Sequence, residues 1–371
     1  MKFMWMMLFF ALPLLAMAYI AWHVWTLLPL SAVWKSVIII IGILCFLTLF
    51  LVFGRRTDAM PLSVVQALYD IGTSSVIVML YMIMLFLVLD LGRLFHLVSR
   101  QQLCASWPMT IAIAVIITGL LVYGHIHYKN KVRVAIELTT DKPLPHDYRV
   151  VMASDLHIGY HNTRKELARW VDMVNAEQPD FILLAGDLID GSMRPLIEEN
   201  MAQEFRRLKA PVYACLGNHE YFSGSPEAQQ FFRDAGIHLL IDEAAVIDSS
   251  IVIIGRDDRM NMRRKPIKEL VSQNPHVGKG QGEAFSIVLD HQPYNLDRAE
   301  AAGIDFQLSG HTHRGQVWPI SWITDAVYEK SWGHHQRGNT RYYISSGLGI
   351  WGPKIRIGTR SEYLVLHLNQ E

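Results

Sequence analysis

The chain has 371 residues; 51% are hydrophobic, 18% are charged, and 34 Lys and Arg balance 34 Asp and Glu. Ordinary soluble domains carry about 25% charged residues, so this deficit argues against a simple cytosolic enzyme, and zero net charge gives no support to a protein that tracks nucleic acid by charge. Three cysteines do not make a disulfide scaffold, and the apolar composition excludes a disordered or fibrous chain.

The averages hide two unequal parts. Residues 1–130 hold 7 of the 34 basic side chains, 3 of the 34 acidic ones and 4 of the 16 histidines. They read as a transmembrane domain of four helices. The first apolar segment runs from Met4 to Trp25, interrupted by Pro13, and the second from Ser36 to Phe53, closed by Gly54-Arg55-Arg56. The third runs from Gly72 to Leu94 and the fourth from Met109 to Tyr123. Each approaches the ~20 residues that span a bilayer as helix. Trp22, Trp25, Trp34, Trp107 and Tyr123 lie near the ends, as interfacial anchors do. Asp90 and Arg93, three apart, read as a local ion pair or, alternatively, as a headgroup contact. Asp70 is placed in the segment joining the second and third spans. Four spans put the N-terminus and residues 131–371 on one side. That side carries Lys2, Arg55, Arg56, Lys129, Lys131 and Arg133, against Lys35, Arg93 and Arg100 on the other. The bias predicts a multi-pass protein of the inner, cytoplasmic membrane with its soluble domain on the cytoplasmic face.

Residues 131–371 hold 27 basic and 31 acidic side chains and the other 12 histidines, and are long enough for a large core. Arg149 to Ser154 reads as a strand ending in Asp-Leu-His, and 162–177 as an amphipathic helix with Leu167, Trp170, Val171 and Val174 on one face. Phe181 to Ala185 is an apolar strand ending in Gly-Asp; Ile197 to Leu208 reads as a helix; Val212 to Leu216 is a strand ending in Gly-Asn-His-Glu; Ala228 to Ala235 is a helix stopped at Gly236. Further strands are predicted at 246–255, 284–289, 306–309, 342–345 and 363–368. Alternating strands and helices, then mostly strands, predict a two-sheet α/β sandwich.

The polar residues after the strands carry the chemistry. Asp155 and His157 follow the first strand, Asp187 and Asp190 the second, Asn218 and His219 the third; His291, and then His311 with His313, follow two later ones. Five strand ends thus supply carboxylate, imidazole and amide groups to one edge, where α/β folds place ligands. In this order, Asp155-x-His157, Gly186-Asp187-x-x-Asp190, Gly217-Asn218-His219-Glu220, His291-x-Pro293 and Gly310-His311-x-His313 resemble the calcineurin-like metallophosphoesterases from about Tyr148 to Leu368. Within that superfamily the chain is similar to the bacterial membrane-attached branch, with enzymes that split the pyrophosphate of UDP-2,3-diacylglucosamine and other cell-envelope phosphoesterases.

The resemblance implies a binuclear, metal-dependent hydrolase of phosphoesters or pyrophosphates in which a hydroxide bridging two ions attacks phosphorus. Asp187 would bridge, Asp155, His157 and His313 would complete one ion, and Asn218, His291 and His311 the other. The mixed nitrogen and oxygen set suits Mn, Zn or Fe better than Mg. His219 is expected to protonate the leaving oxygen or hold the phosphate, or alternatively to orient the site; Asp190 is expected to hydrogen-bond a ligand or His219; Glu220 reads as structural. Substrate binding is assigned to Arg164, Arg259, Arg263 and Arg264 for phosphate, with a solvated charged loop as the alternative for the last three. Asp257 and Asp258 are read as support for the site. Trp318, Trp322, Trp332 and Trp351 are read in loops beside the metals, and Trp318, Trp322 and Trp351 are assigned to a surface or slot for lipid. His334, His335 and Arg337 read as a mobile polar patch. The expected partner is a lipid-linked phosphate or envelope precursor, with no nucleic acid and no protein partner. A membrane-tethered cyclic-nucleotide or general phosphodiesterase is the alternative, a nuclease fits the acidic domain poorly, and an inactive scaffold is disfavoured by the full ligand set.

Overall fold

In the computed structural model, which describes residues 2–53, 57–277 and 284–371 (the side chains of 2–10 excepted), the chain divides into two compact units, Met1–His125 and Ile126–Glu371. Gly54-Arg55-Arg56, the predicted close of the second span, lies outside the described residues.

The first unit is helical: α1 (Lys2–Leu27), α2 (Ala32–Phe53), α3 (Leu62–Leu94) and α4 (Trp107–Lys129), whose last turn belongs to the second unit. Among the described residues α2, α3 and α4 are long and apolar enough to cross a membrane, while the apolar stretch described in α1, Ala11–Leu27, is shorter. Three clear helices therefore stand where four spans were expected. Ile40, Ile41 and Leu44 of α2 stay exposed, and a helix that is hydrophobic all round needs an apolar surrounding. The protein is membrane-associated. Pro13 lies inside α1 and does not interrupt it. Asp70 lies within α3, not in a connecting segment, because that helix starts directly after Pro61; its 33 residues extend about 50 Å, well beyond a ~30 Å hydrocarbon core. Asp90 is more than half of a local pair. Arg93 stands 3.7 Å away, but Tyr19 donates its hydroxyl at 2.7 Å and His23 lies at 3.0 Å, so Asp90 joins α1 to α3.

The second unit contains two six-stranded sheets. The first is built from β1 (Lys131–Thr140), β2 (Tyr148–Ala153), β3 (Phe181–Ala185), β4 (Val212–Cys215) and β5 (His238–Leu239). The second takes β6 (Glu243–Ile247), β7 (Ile251–Gly255), β8 (Phe285–Leu289), β9 (Phe306–Ser309), β10 (Gly333–Arg337) and β11 (Thr340–Ile344). A last strand, β12 (Ser361–Gln370), enters the first sheet between β1 and β2, giving the orders β1-β12-β2-β3-β4-β5 and β10-β11-β9-β8-β7-β6.

Strand composition explains the layering. In β3, Phe181, Leu183 and Ala185 face the second sheet, packed in one core with Ile251, Ile253, Ile287 and Leu308. The alternate residues Ile182 and Leu184 face α5 (Arg164–Ala176), meeting Leu167, Trp170 and Val171. On the far side Val252, Ile254, Val288 and Ile344 form a third core with Ile267 and Leu270. Strands buried on both faces need near-continuous apolar runs, which is why these segments show no alternation.

Several predicted elements are redrawn. The helix expected at 197–208 is two short ones, α6 (Arg194–Glu198) and α7 (Ala202–Phe205), because Asn200 takes φ 53° between them. A non-glycine residue in the left-handed region ends helical hydrogen bonding, and Asn tolerates it best. Asn218–Ser223 is a short helix, α8, leading into α9 (Ser225–Ala235). The strand expected at 246–255 is the hairpin β6–β7, turned by Asp248 and Ser249 at φ 48° and 57°. Helices α10 (Ile267–Ser272) and α11 (Asp297–Ala302) cover the second sheet. Trp322 stands on a helix, α12 (Ile320–Val327), and not in a loop. His334, His335 and Arg337 form strand β10, paired antiparallel with β11, so that patch is ordered.

Candidate metal centre

The candidate ligands sit just beyond the ends of β2, β3, β4, β8 and β9. Hydrogen bonds between these loops hold them together: Asp155 N donates to Gly186 O, and His157 N to Asp187 O, both at 3.0 Å. Asp155, His157, Asp187, His311 and His313 all have φ between 45° and 71°. Each such conformation costs of order 1–3 kcal/mol and persists only where surrounding contacts over-determine it.

Close approach is built into the glycines. A Cβ on Gly217 would stand 2.2 Å from Asp187 Oδ1, and one on Gly310 2.2 Å from Asp155 Oδ2. Glu220 closes the arrangement. Fully buried, it accepts from Gly217 N at 2.7 Å, Asp187 N at 3.1 Å and Ile189 N at 3.0 Å. It is a clamp between the β3 and β4 loops; burial and the nearby Asp187 charge push its carboxyl up to about 7.

Three groups of metal-ligating atoms result: Asp155, His157 and His313; His157, Asp187 and His219; and Asp187, His291 and His311, each within 4.8 Å. Their chemistry fits cations. His291 Nδ1 lies 2.8 Å from Ala185 O, a group that can only accept, so Nδ1 carries the proton. Its Nε2 then faces Asp187 Oδ2 at 3.0 Å as a second acceptor, unless a proton or a metal ion lies between them. Burial disfavours that second proton, but Asp187 outweighs it and pushes the imidazole well above its ordinary range. Nε2 of His157 likewise lies 3.1 Å from Nε2 of His313. Burial together with the Asp187 charge raises Asp155, while the imidazoles of His291 and His219 overcome burial and keep Asp187 ionised. Asn218 Oδ1, buried, has no hydrogen-bond partner among the described residues, as expected of an amide oxygen kept for a ligand. The residues fit a binuclear divalent-metal centre.

His219, a member of the second group although it was not expected as a ligand, also donates its backbone N–H to Asp187 Oδ1 at 2.9 Å. Asp190 stands 3.2 Å from His219 Nδ1, 3.6 Å from His157 Nδ1 and 3.5 Å from His161 Nδ1. Burial alone would raise Asp190; contacts with His157 and His219 hold it well below the carboxylate range instead. His161, which sequence reasoning passed over, is fully buried, with Nε2 2.6 Å from Ile350 O. Its only sequence signal is its place four residues after His157.

The residues assigned to substrate are dispersed. Arg164 is paired with Glu204 at 2.8 Å and Arg264 with Asp290 at 2.9 Å. The Arg259 guanidinium stacks 4.0 Å over the Tyr294 ring, and Arg263 is exposed. Asp257 accepts from Tyr221 at 2.7 Å and Asp258 from Gln292 at 2.8 Å, which tethers neighbours of Glu220 and His291. The Trp351 ring lies 6.5 Å from that of His219 and is 44% exposed. Phe222, not foreseen, lies 5.4 Å from His219 and is 55% exposed. Trp318 and Trp322 pack edge to face, and Trp322 remains 65% exposed. Trp332 is packed between Arg314 and Arg360 and donates to Glu362.

This fold and these clusters define a metal-dependent phosphoesterase. Residues 148–315 match the calcineurin-like phosphoesterase family model. An uncharacterized metallophosphoesterase of Aquifex aeolicus is 31% identical over 227 residues, 59% of this chain and 85% of that one. A transmembrane protein with metallophosphoesterase domain from Danio rerio is 30% identical over 316 residues, 78% of this chain and 71% of that one. The chain belongs to the calcineurin-like phosphoesterases. Among solved structures, the 5'-nucleotidase precursor of Thermus thermophilus aligns at TM-score 0.37 and 16% identity over 60% of this chain, which spans 55% of that protein.

Proposed function

We propose that the protein is a membrane-embedded hydrolase of a lipid-linked phosphoester or pyrophosphate. The observation that carries this reading is the pair of exposed aromatic rings, Phe222 and Trp351, flanking His219 in a chain that also carries helices long and apolar enough to cross a membrane. An aqueous substrate gives no reason for such rings to stay exposed there; an acyl or prenyl chain does. Arg259 and Arg263 are proposed to meet a second phosphate.

Asp155, His157, Asp187, Asn218, His291, His311 and His313 would hold two ions, with Mn, Zn or Fe favoured by the mixed donor set. When bound, the pair supplies Lewis acidity and lowers the pKa of water at the site. The chain's own part is proton transfer and orientation. Asp190 at Nδ1 of His219 fixes that ring and leaves Nε2 to protonate the leaving oxygen. Helix α1 is proposed as a fourth span, which would place the catalytic unit on the cytoplasmic face.

The test is detergent-purified protein assayed with Mn, Zn and Mg against lipid pyrophosphates and soluble diesters, beside Asp187→Asn. We expect preference for the lipid-linked compounds and loss of activity in the variant. Preference for soluble diesters rejects the substrate class, and full activity of Asp187→Asn rejects the metal-dependent reading.

A further inference from the structure

The end of α4 reaches the metal loop through one buried side chain. Tyr128, in the last turn and 1% exposed, donates its hydroxyl to Asn162 Oδ1 at 2.6 Å. Asn162 is fully buried, and its amide nitrogen lies 2.9 Å from Leu156 O, 3.1 Å from His157 O and 3.2 Å from Ile350 O. Its backbone carbonyl accepts from Gly159 N. Asn162 therefore ties the backbone of the ligand His157 to the 350 segment, which carries Trp351 next in sequence. The Tyr128 ring is capped by Lys131, whose ammonium lies 3.6 Å from its centre and 5.3 Å from that of Trp170. Three carbonyl acceptors set which way the buried amide faces, and the phenol satisfies and anchors its oxygen on the other side.

His157 is held at φ 45°, in the left-handed region. A backbone so placed persists only where surrounding contacts over-determine it, and the Asn162 amide at the His157 carbonyl is one of those contacts, beside His157 N on Asp187 O. Deleting the Tyr128 hydroxyl leaves Asn162 Oδ1 buried and unpaired, which loosens the side chain whose nitrogen donates to the carbonyls of Leu156 and His157. We infer that Tyr128, acting through Asn162, is a positioning residue for the His157 metal loop, so that the end of the fourth helix sets the affinity and geometry of the metal centre.

The test uses full-length metal-free protein in detergent: wild type, Tyr128→Phe, Asn162→Ala and the double variant. Mn2+ affinity is read by competition with a chelator, cobalt-loaded protein by its visible bands, and folding by apparent Tm. Residues that orient metal ligands from outside the coordination sphere are worth about 10- to 100-fold in affinity. Tyr128→Phe should lower apparent Tm modestly, as the unpaired Asn162 oxygen requires, and in the folded protein should also weaken Mn2+ binding about 10-fold and shift the cobalt bands. Added to Asn162→Ala, it should have no further effect. Unchanged affinity and bands in Tyr128→Phe overturn the inference, as does a double variant whose losses multiply. If Asn162→Ala does not fold, Tyr128→Phe alone decides, because a merely structural role lowers Tm and leaves the metal affinity and cobalt bands of the folded protein unmoved.

Discussion

Asp190 and His219 stand 3.2 Å apart, carboxylate oxygen to Nδ1, with Asp190 buried and His219 partly open to solvent. A carboxylate at that nitrogen fixes tautomer and ring orientation and strengthens the imidazole as an acid–base group. Asp190→Asn should cut kcat about 10- to 100-fold on an alkyl phosphodiester, whose leaving oxygen needs a proton. A nitrophenyl diester needs none and should lose much less. Equal losses on both substrates would place Asp190 in structure alone.

Gly217 offers a purely steric handle on the same centre. It has φ −114°, which alanine accepts, yet the added methyl would lie 2.2 Å from Asp187 Oδ1 and 2.5 Å from Asp187 N. Gly217→Ala should displace Asp187 and reduce the bound metal, measured by elemental analysis, to well under the two ions of wild type. Full metal content in this variant would show that Asp187 is not needed to bind both ions.

Acid should weaken the catalytic unit through His161. Burial pushes its pKa down to about 4 from the ordinary 6.5, against the pull of Asp190. Between those values the unfolded chain binds a proton that the folded chain does not, so this contribution is complete above pH 6.5 and lost as pH falls toward 4. The loss is of order 3 kcal/mol at most. Apparent Tm measured from pH 8 down to about 4 should fall more steeply for wild type than for His161→Gln, and parallel curves would remove His161 from the account.

The aromatic edge can be probed without touching the metals. Trp351→Ala should raise KM for a lipid-linked pyrophosphate about tenfold, roughly 1.4 kcal/mol, and leave a soluble diester within about twofold. A similar change on both substrates would mean that Trp351 serves the catalytic groups and not a lipid.

The five ligand-bearing loops were legible because strand ends announce themselves: an apolar run such as Phe181–Ala185 stops, and Gly-Asp follows. Their convergence on one edge followed from parallel pairing of β2, β3 and β4. What could not be read was set by distant partners. Nothing near Tyr128 or Asn162 marks them as a pair, since 34 residues separate them. Strand β10 carries His334, His335 and Arg337 because its face is half-exposed, and polar composition disguised it. Asn200 broke a helix whose apolar spacing ran on, a local conformation that no periodicity records. Arg164 and Arg264 had the right charge for phosphate, while their engagement with Glu204 and Asp290 depends on the tertiary fold.

The parallel pairing of β1 with β12 has a consequence for biosynthesis. Lys131 is in register with Ser361 and Thr140 with Gln370, so about 220 residues must leave the ribosome before β1 finds its neighbour. At roughly 5–20 residues per second that is about 10–40 s. Through that interval the strand that emerges directly after a hydrophobic helix presents an open edge to other nascent chains. A ribosome that stalls before Ser361 would release a product with its metal loops made and its first sheet divided, a natural substrate for chaperones and proteases.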